Sequence, residues 1–344
     1  MEMSALVTHF GIRPGGGHRG FARLAVVGAI LLAVLGFAAD RAQAAYTAQV
    51  NNDRLTLTGN GASDQLALRL QAGDATRLQA DVGDNGSADL TFDRSDFDTI
   101  VVRAGGGHDR VRIDETNGVF TDTEDTTMNG EAGNDTLLGG SAPELFRGGS
   151  ENDRVDGNGG DDFGVLGSDR DSFIWDPGDG SDVVEGQGGT DTLVFNGSGA
   201  SENFEFLRSG GRLLFLRDVG NIVMDTDKVE KVDLSALGGA DNTIVNNLAG
   251  TDLDVAAIDL EGVLGGGAGD GQPDAITVKG TNAPDNIRIR RNGNLVNVRG
   301  LPARVQIANS EPANDELTVN GRGGNDSFSL GPGLGALIQV SVNE

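Results

Sequence analysis

From Gly130 onward an acidic residue returns every nine positions, as Asp135, Glu144, Asp153, Asp162 and Asp171. They hold the sixth place of five consecutive units: GEAGNDTLL (130–138), GGSAPELFR (139–147), GGSENDRVD (148–156), GNGGDDFGV (157–165) and LGSDRDSFI (166–174). The eighth place holds Leu137, Phe146, Val155, Gly164 and Phe173, apolar in four of five. After a two-residue insertion the pattern resumes with Asp182/Val184 and Asp191/Leu193, and upstream Ala104–Arg112 sets Asp109 and Val111 in the same places. One unit cannot bury a single apolar side chain, whereas stacked units form a narrow continuous core. Glycine at the turn positions permits positive φ. Two residues past the acid, the apolar side chain points away from its polar neighbours, as in a short strand. Turns in register place carboxylates and carbonyls in rows. Such an oxygen-only lining suits Ca²⁺, which takes roughly 6–8 oxygens at about 2.3–2.6 Å. The competing reading is a metal-free solenoid in which each Asp caps its own turn through side-chain hydrogen bonds.

These units resemble the haemolysin-type (RTX) calcium-binding repeat, G-G-x-G-x-D-x-U-x, where U is a large apolar residue. The resemblance covers residues 101–195, with weaker copies at Gly59–Ala67 (Asp64, Leu66), around Asp274/Ile276 and at Gly321–Ser329 (Asp326, Phe328). The segment FIWDPGDGSDVVEGQGGTDTLVFNG (173–197) is similar to the closing segment of that family. The resemblance implies a right-handed parallel β-roll with two units per turn and each Ca²⁺ between loops on the same side. Partners then lie 18 residues apart: Asp135 faces Asp153, Asp153 faces Asp171, and Asp162 faces Glu144 and, across the insertion, Asp182. Asp109 and Asp191 extend the implied acidic set, and carbonyls near Gly133, Gly140, Gly149, Gly160 and Gly167 complete it. Ala142, Glu151 and Asp169 depart from the usual fourth-place glycine, Glu144 is one methylene longer than Asp, and Gly164 leaves a hole in the apolar ladder. With these departures about two to four calcium sites are expected.

The charge balance points the same way. The chain carries a formal −26, and without residues 1–44 it keeps 22 basic and 50 acidic residues, net −28. Such a surface repels nucleic acid and anionic membrane and attracts cations. Val, Ile, Leu and Thr recur in short strings between Gly/Asp turns, unlike a disordered acidic tail. There is no cysteine, so neither disulfides nor thiolate ligands stiffen the fold. Arg13, Arg19 and Arg23 precede the apolar run Leu24–Ala39, and Ala42-Gln43-Ala44 gives a small-x-small pattern. Residues 1–44 therefore read as a signal peptide, and the mature chain is expected outside the cell or at its surface, with no membrane insertion.

The expected fold is all-β: a parallel β-roll or β-solenoid of nonapeptide repeats with flanking antiparallel β segments. Residues 45–100 are expected to form an N-terminal β cap, with Asp81–Asp89 as a hairpin around Asn85-Gly86. Residues 101–196 form the roll, 197–236 an antiparallel segment with meander spacing, and 237–344 a degenerate solenoid ending in a strand over 336–342.

Catalytic signals are thin. His108 is the one histidine after residue 44, too few for a nucleophile–base triad or a zinc centre. Gly265-x-Gly267-x-Gly269 has no helix after it to receive phosphate. Trp175 and Tyr46 are single residues of their types, which argues against an aromatic sugar platform. Arg288, Arg290 and Arg291 lie along one strand and are the candidates for anion contact. The expectation is a non-enzymatic, calcium-stabilised module with a structural or surface-binding role, its partner a cell-surface glycan or protein. The alternative is a secreted solenoid enzyme acting on polysaccharide.

Overall fold

The computed structural model describes residues 46–344, so the expected signal peptide lies outside the described residues. The described chain is all-β, with two sheets of fourteen strands each, most neighbours running parallel. Through the repeats each unit supplies one short strand, and successive units alternate between the two sheets. In one sheet Leu66, Val111, Leu137, Val155, Phe173 and Leu193 stack rung on rung in a fully buried column. In the facing sheet the column runs Leu57, Val102, Met128, Phe146, Gly164 and Val184. Each strand alternates buried and outward residues, which is the period-two pattern that a two-sheet core requires.

Gly164 leaves no hole. The ring of Phe173, from the opposite sheet, lies where its side chain would be, and an added Cβ would meet that ring at 2.9 Å. The large residue on one sheet and the missing one on the other are complementary.

Of three antiparallel meanders, two interrupt the stack and work the same way. Strands 203–209, 212–217 and 222–227 fold back so that the last lies parallel to Val183–Gly189 and the first parallel to Asn242–Val245. The chain thus steps ahead by two strands and returns. A second meander, 286–292, 295–299 and 304–308, does this in the other sheet, between Val255–Asp259 and Ser327–Leu330. It falls within the stretch expected to be degenerate solenoid, and Gly293-Asn294, the two-residue loop between Asn292 and Leu295, is the hairpin signal that marks it. The third meander, 65–71, 74–82 and 90–93, ends the stack at its N-terminal side and contains the hairpin around Asn85-Gly86. The terminal strand is Gln339–Asn343, preceded by a single 3₁₀ turn at Leu334–Ala336. Among the described residues no helix is long and apolar enough to cross a membrane.

Candidate metal centre

The sixth-place acids form rows along the two edges where the chain passes from sheet to sheet. On one edge each acid caps the rung before it through the Oδ1 atom. Asp64 N–H donates to Asp109 (2.6 Å), Asp109 to Asp135 (2.7 Å), Asp135 to Asp153 (2.8 Å), Asp153 to Asp171 (2.7 Å) and Asp171 to Asp191 (2.9 Å). On the other edge Glu144 N–H donates to Asp162 (2.7 Å) and Asp162 N–H to Asp182 (2.9 Å). A parallel outer ladder runs in the reverse sense at the fifth place. His108 Nδ1 accepts from Asn134 N–H, Asn134 Oδ1 from Asn152 N–H and Asn152 Oδ1 from Arg170 N–H. His108 is thus occupied in turn stacking.

Each carboxylate has a second oxygen, and its fate depends on the turn. In turns 104–109, 130–135, 148–153, 157–162, 166–171, 186–191 and 236–241 the second and fourth residues are both left-handed. Gly149 (φ 125°) and Glu151 (φ 75°) show the arrangement; a Cβ on Gly149 would come within 2.1 Å of the Glu131 carbonyl oxygen one rung below. In these seven turns Oδ2 of Asp109, Asp135, Asp153, Asp162, Asp171, Asp191 and Asp241 is buried with no hydrogen-bond partner.

A different turn appears where alanine holds the fourth place. In GGSAPE (139–144), GSGASE (197–202) and GTNAPD (280–285) neither the second nor the fourth residue is left-handed. The carboxylate turns back on its own second residue: Gly140 N–H donates to Glu144 Oε2 (2.9 Å), Ser198 N–H to Glu202 Oε2 (2.7 Å) and Thr281 N–H to Asp285 Oδ2 (2.7 Å). Pro143 and Pro284 hold the preceding alanine extended. Asp64, also in an alanine turn, is the exception, with both oxygens unpartnered.

The turn type corrects the expected departures. Glu151 and Asp169 adopt the left-handed conformation in place of glycine (φ 75° and 85°) and preserve the turn, whereas Ala142 changes it. Of the five implied carbonyl glycines, Gly133, Gly149, Gly160 and Gly167 are left-handed members of their turns, and Gly140 is not.

The rows are electrostatically uncompensated. Adjacent parallel strands lie about 4.8 Å apart. At an effective dielectric of 20, two unit charges at that spacing repel by about 3 kcal/mol. Burial, reinforced by neighbouring acids, pushes the carboxyls of Asp109 and Asp191 up to about 7, Asp153 and Asp182 to about 8, and Asp162 to about 10. Glu144 is pushed to about 7 and Asp171 to about 6, burial again the main cause; Asp135 also moves up. None of these acids pairs with an Arg or Lys among the described residues. Nor do three acidic or histidine side chains converge there as a metal cluster. A cation at these turns would draw on backbone carbonyls plus one or two carboxylates. Orphaned carboxylate oxygens in a buried, acid-only row fit a hard, oxygen-seeking divalent ion.

Sequence reading passed over Asp241, although Leu237, Gly239 and Asp241 repeat the second, fourth and sixth places of the turn. The phosphate-loop look-alike has a local explanation: Gly265 and Gly267 N–H donate to the Glu261 carboxylate at 2.7 and 3.0 Å. Trp175 is fully buried, stacked on Phe195.

No family model matches the chain, and no curated protein does. Three chains among solved structures match, including the extracellular lipase LipA from Serratia marcescens, at 13% identity and a TM-score of 0.16. That match covers 56% of this chain and 43% of the lipase, so the chain spans less than half of that protein's length. A likeness at that TM-score carries neither a structural nor a functional conclusion.

Proposed function

We propose that this protein is a secreted, calcium-stabilised β-roll with a structural or surface-binding role. The observation that carries the reading is the row of buried, unpartnered Oδ2 atoms of Asp109, Asp135, Asp153, Asp171 and Asp191, five consecutive left-handed turns on one edge. These residues would hold Ca²⁺ together with carbonyls of the same turns, including those around Gly133, Gly149 and Gly167. Asp162 and Asp182, with carbonyls around Gly160, would serve the opposite edge. Glu144 and Gly140 have the weaker claim, since they already bond to each other within their own turn. Bound calcium supplies positive charge that neutralises the row. Extracellular location rests on the leader in residues 1–44 and on calcium modules of this kind binding at about 10⁻⁴–10⁻³ M, a concentration found outside cells.

Calcium titration followed by calorimetry and circular dichroism tests the reading. Binding of several ions is expected, with a gain of β signal as binding energy becomes folding energy. Magnesium, which demands tighter octahedral geometry, should substitute poorly. An Asp135→Ala, Asp153→Ala double variant should lose ions, and Asp285→Ala should lose none. Identical folding and no heat of binding in chelator and in calcium would sink the proposal.

A further inference from the structure

The second meander gathers cations that the fold itself leaves unmatched. Arg288 lies directly opposite Arg299, and the register that pairs Val298 with Val305 places Arg304 opposite Arg299 on the next strand. With Ile287, Ile289, Val298 and Val305 buried, the three arginines share the outward face. Like charges opposite one another on neighbouring strands repel. Despite the acidity of the chain, none of the three forms an ion pair among the described residues.

The surrounding donors are also short of acceptors. Arg304 Nε is buried without a partner, and its Nη2 reaches only Gln306 Oε1 at 3.4 Å. Asn297, on the same face, accepts from Gln306 Nε2 at 3.1 Å, and its own Nδ2 is buried with no acceptor. Arg299 and Arg304 border a recess of about 370 Å³, completed by Asp254, Val255, Gly300 and Leu301. Gly300 fixes the shape of its rim, with φ 94° and the Asn286 carbonyl oxygen 2.0 Å from where a Cβ would stand. Arg290 and Arg291, singled out with Arg288 in the sequence, are engaged elsewhere: Arg290 bonds Ser329, and Arg291 the Gly293 carbonyl.

We propose that the row Arg288–Arg299–Arg304 binds the carboxylate or sulfate groups of an anionic glycan. Guanidinium forks take such oxyanions through two parallel hydrogen bonds, and an oxyanion here would supply acceptors to the orphaned donors and relieve the repulsion along the row. Three cations spaced at strand separation across an open sheet face match a chain of charged groups better than a single small ion. The strong negative charge of the rest of the molecule weighs against a nucleic-acid duplex, which needs a broad basic surface.

The test uses full-length protein in saturating calcium at low ionic strength, with circular dichroism confirming the fold of every variant. A hyaluronan oligosaccharide (carboxylate), a heparin oligosaccharide (carboxylate and sulfate), a neutral dextran oligosaccharide and inorganic sulfate are titrated by calorimetry. At least one anionic oligosaccharide should bind, weakening about tenfold or more in Arg299→Gln/Arg304→Gln and staying unchanged in Arg147→Gln on the opposite sheet. The same double variant should melt no lower than the parent without ligand, because a repulsive row has been thinned. The proposal is overturned if neither anionic oligosaccharide binds or the double variant binds equally well. Inorganic sulfate binding as tightly as the oligosaccharides, or a double variant melting well below the parent, overturns it too. No residue lining the recess belongs to the seven left-handed turns, so loss of glycan binding with calcium binding intact separates this proposal from the calcium reading.

Discussion

The edge formed by turns 104–191 and the positions occupied by Glu124 and Glu202 solve one electrostatic problem in opposite ways. All place acids at rung starts beneath buried backbone. Glu124 is held by Arg94 through two hydrogen bonds of 2.7 and 2.6 Å, and Glu202 by the buried Arg217, which also lies over the Trp175 ring at 5.0 Å. Asp81, in the N-terminal meander, is matched by Arg69. Along the left-handed turns no such cation exists. Where the chain brings its own positive charge the rung closes without help, and where it does not, the proposed calcium would have to supply it. The two meanders beside Arg94 and Arg217 thus flank a segment whose buried acids have no cation of their own among the described residues.

The sharpest way to break this contrast is to remove calcium. In chelator, amide exchange through 104–191 should accelerate by about two orders of magnitude or more, while strands 212–217 and 222–227 keep most of their protection. Uniform loss, or none, would erase the distinction between the two regions.

Smaller changes probe each side separately. Arg217→Met leaves Glu202 buried and unpaired and should cost about 3–5 kcal/mol with or without calcium. Asp153→Ala removes the acceptor for Asp135 N–H together with one ion ligand. In calcium it should cost about 2–3 kcal/mol, and in chelator only the smaller part due to the lost hydrogen bond. Denaturant titrations under both conditions check both variants.

The pH profile reads the same contrast through all the row's acids at once. In the calcium-free folded chain Asp109, Asp153, Asp171 and Asp191 hold protons up to about 7, 8, 6 and 7, against about 3.9 when unfolded. The folded state therefore binds more protons across that interval. Its stability is greatest at acid pH, falls as pH rises from about 4 through 8, and levels off above that. With saturating calcium the slope should flatten or reverse, because protons and ions compete for the same oxygens. Melting temperatures from pH 5 to 9, with and without chelator, read both slopes.

Much of this was legible in the residues. The nine-residue spacing of Asp135 to Asp171 fixes which acids become rung neighbours, and the insertion before Asp182 merely widens one turn. Less legible was the difference between an alanine and an acidic residue at the fourth place. Both read as departures from glycine, yet Glu151 and Asp169 accept a left-handed backbone, and Ala142, followed by Pro143, does not. The second meander was hidden because Ile287/Ile289, Val296/Val298 and Val305/Ile307 alternate as parallel rungs would. Pairing direction leaves no trace in a period of two, so only Gly293-Asn294 betrayed it. The arginine row was invisible for a related reason: its members are neighbours across strands, 11 and 5 residues apart in sequence.

The two meanders that interrupt the stack also keep its two sheets equal in strand number. Each adds two strands to one sheet, about 10 Å of length, and they fall on opposite sheets. Deleting either would leave one layer longer than the layer bonded to its back. Like a strip of two metals heated unequally, two such sheets would then have to curl. Insertions in such a fold are tolerated in balanced pairs, and fourteen strands in each sheet are the record of that balance.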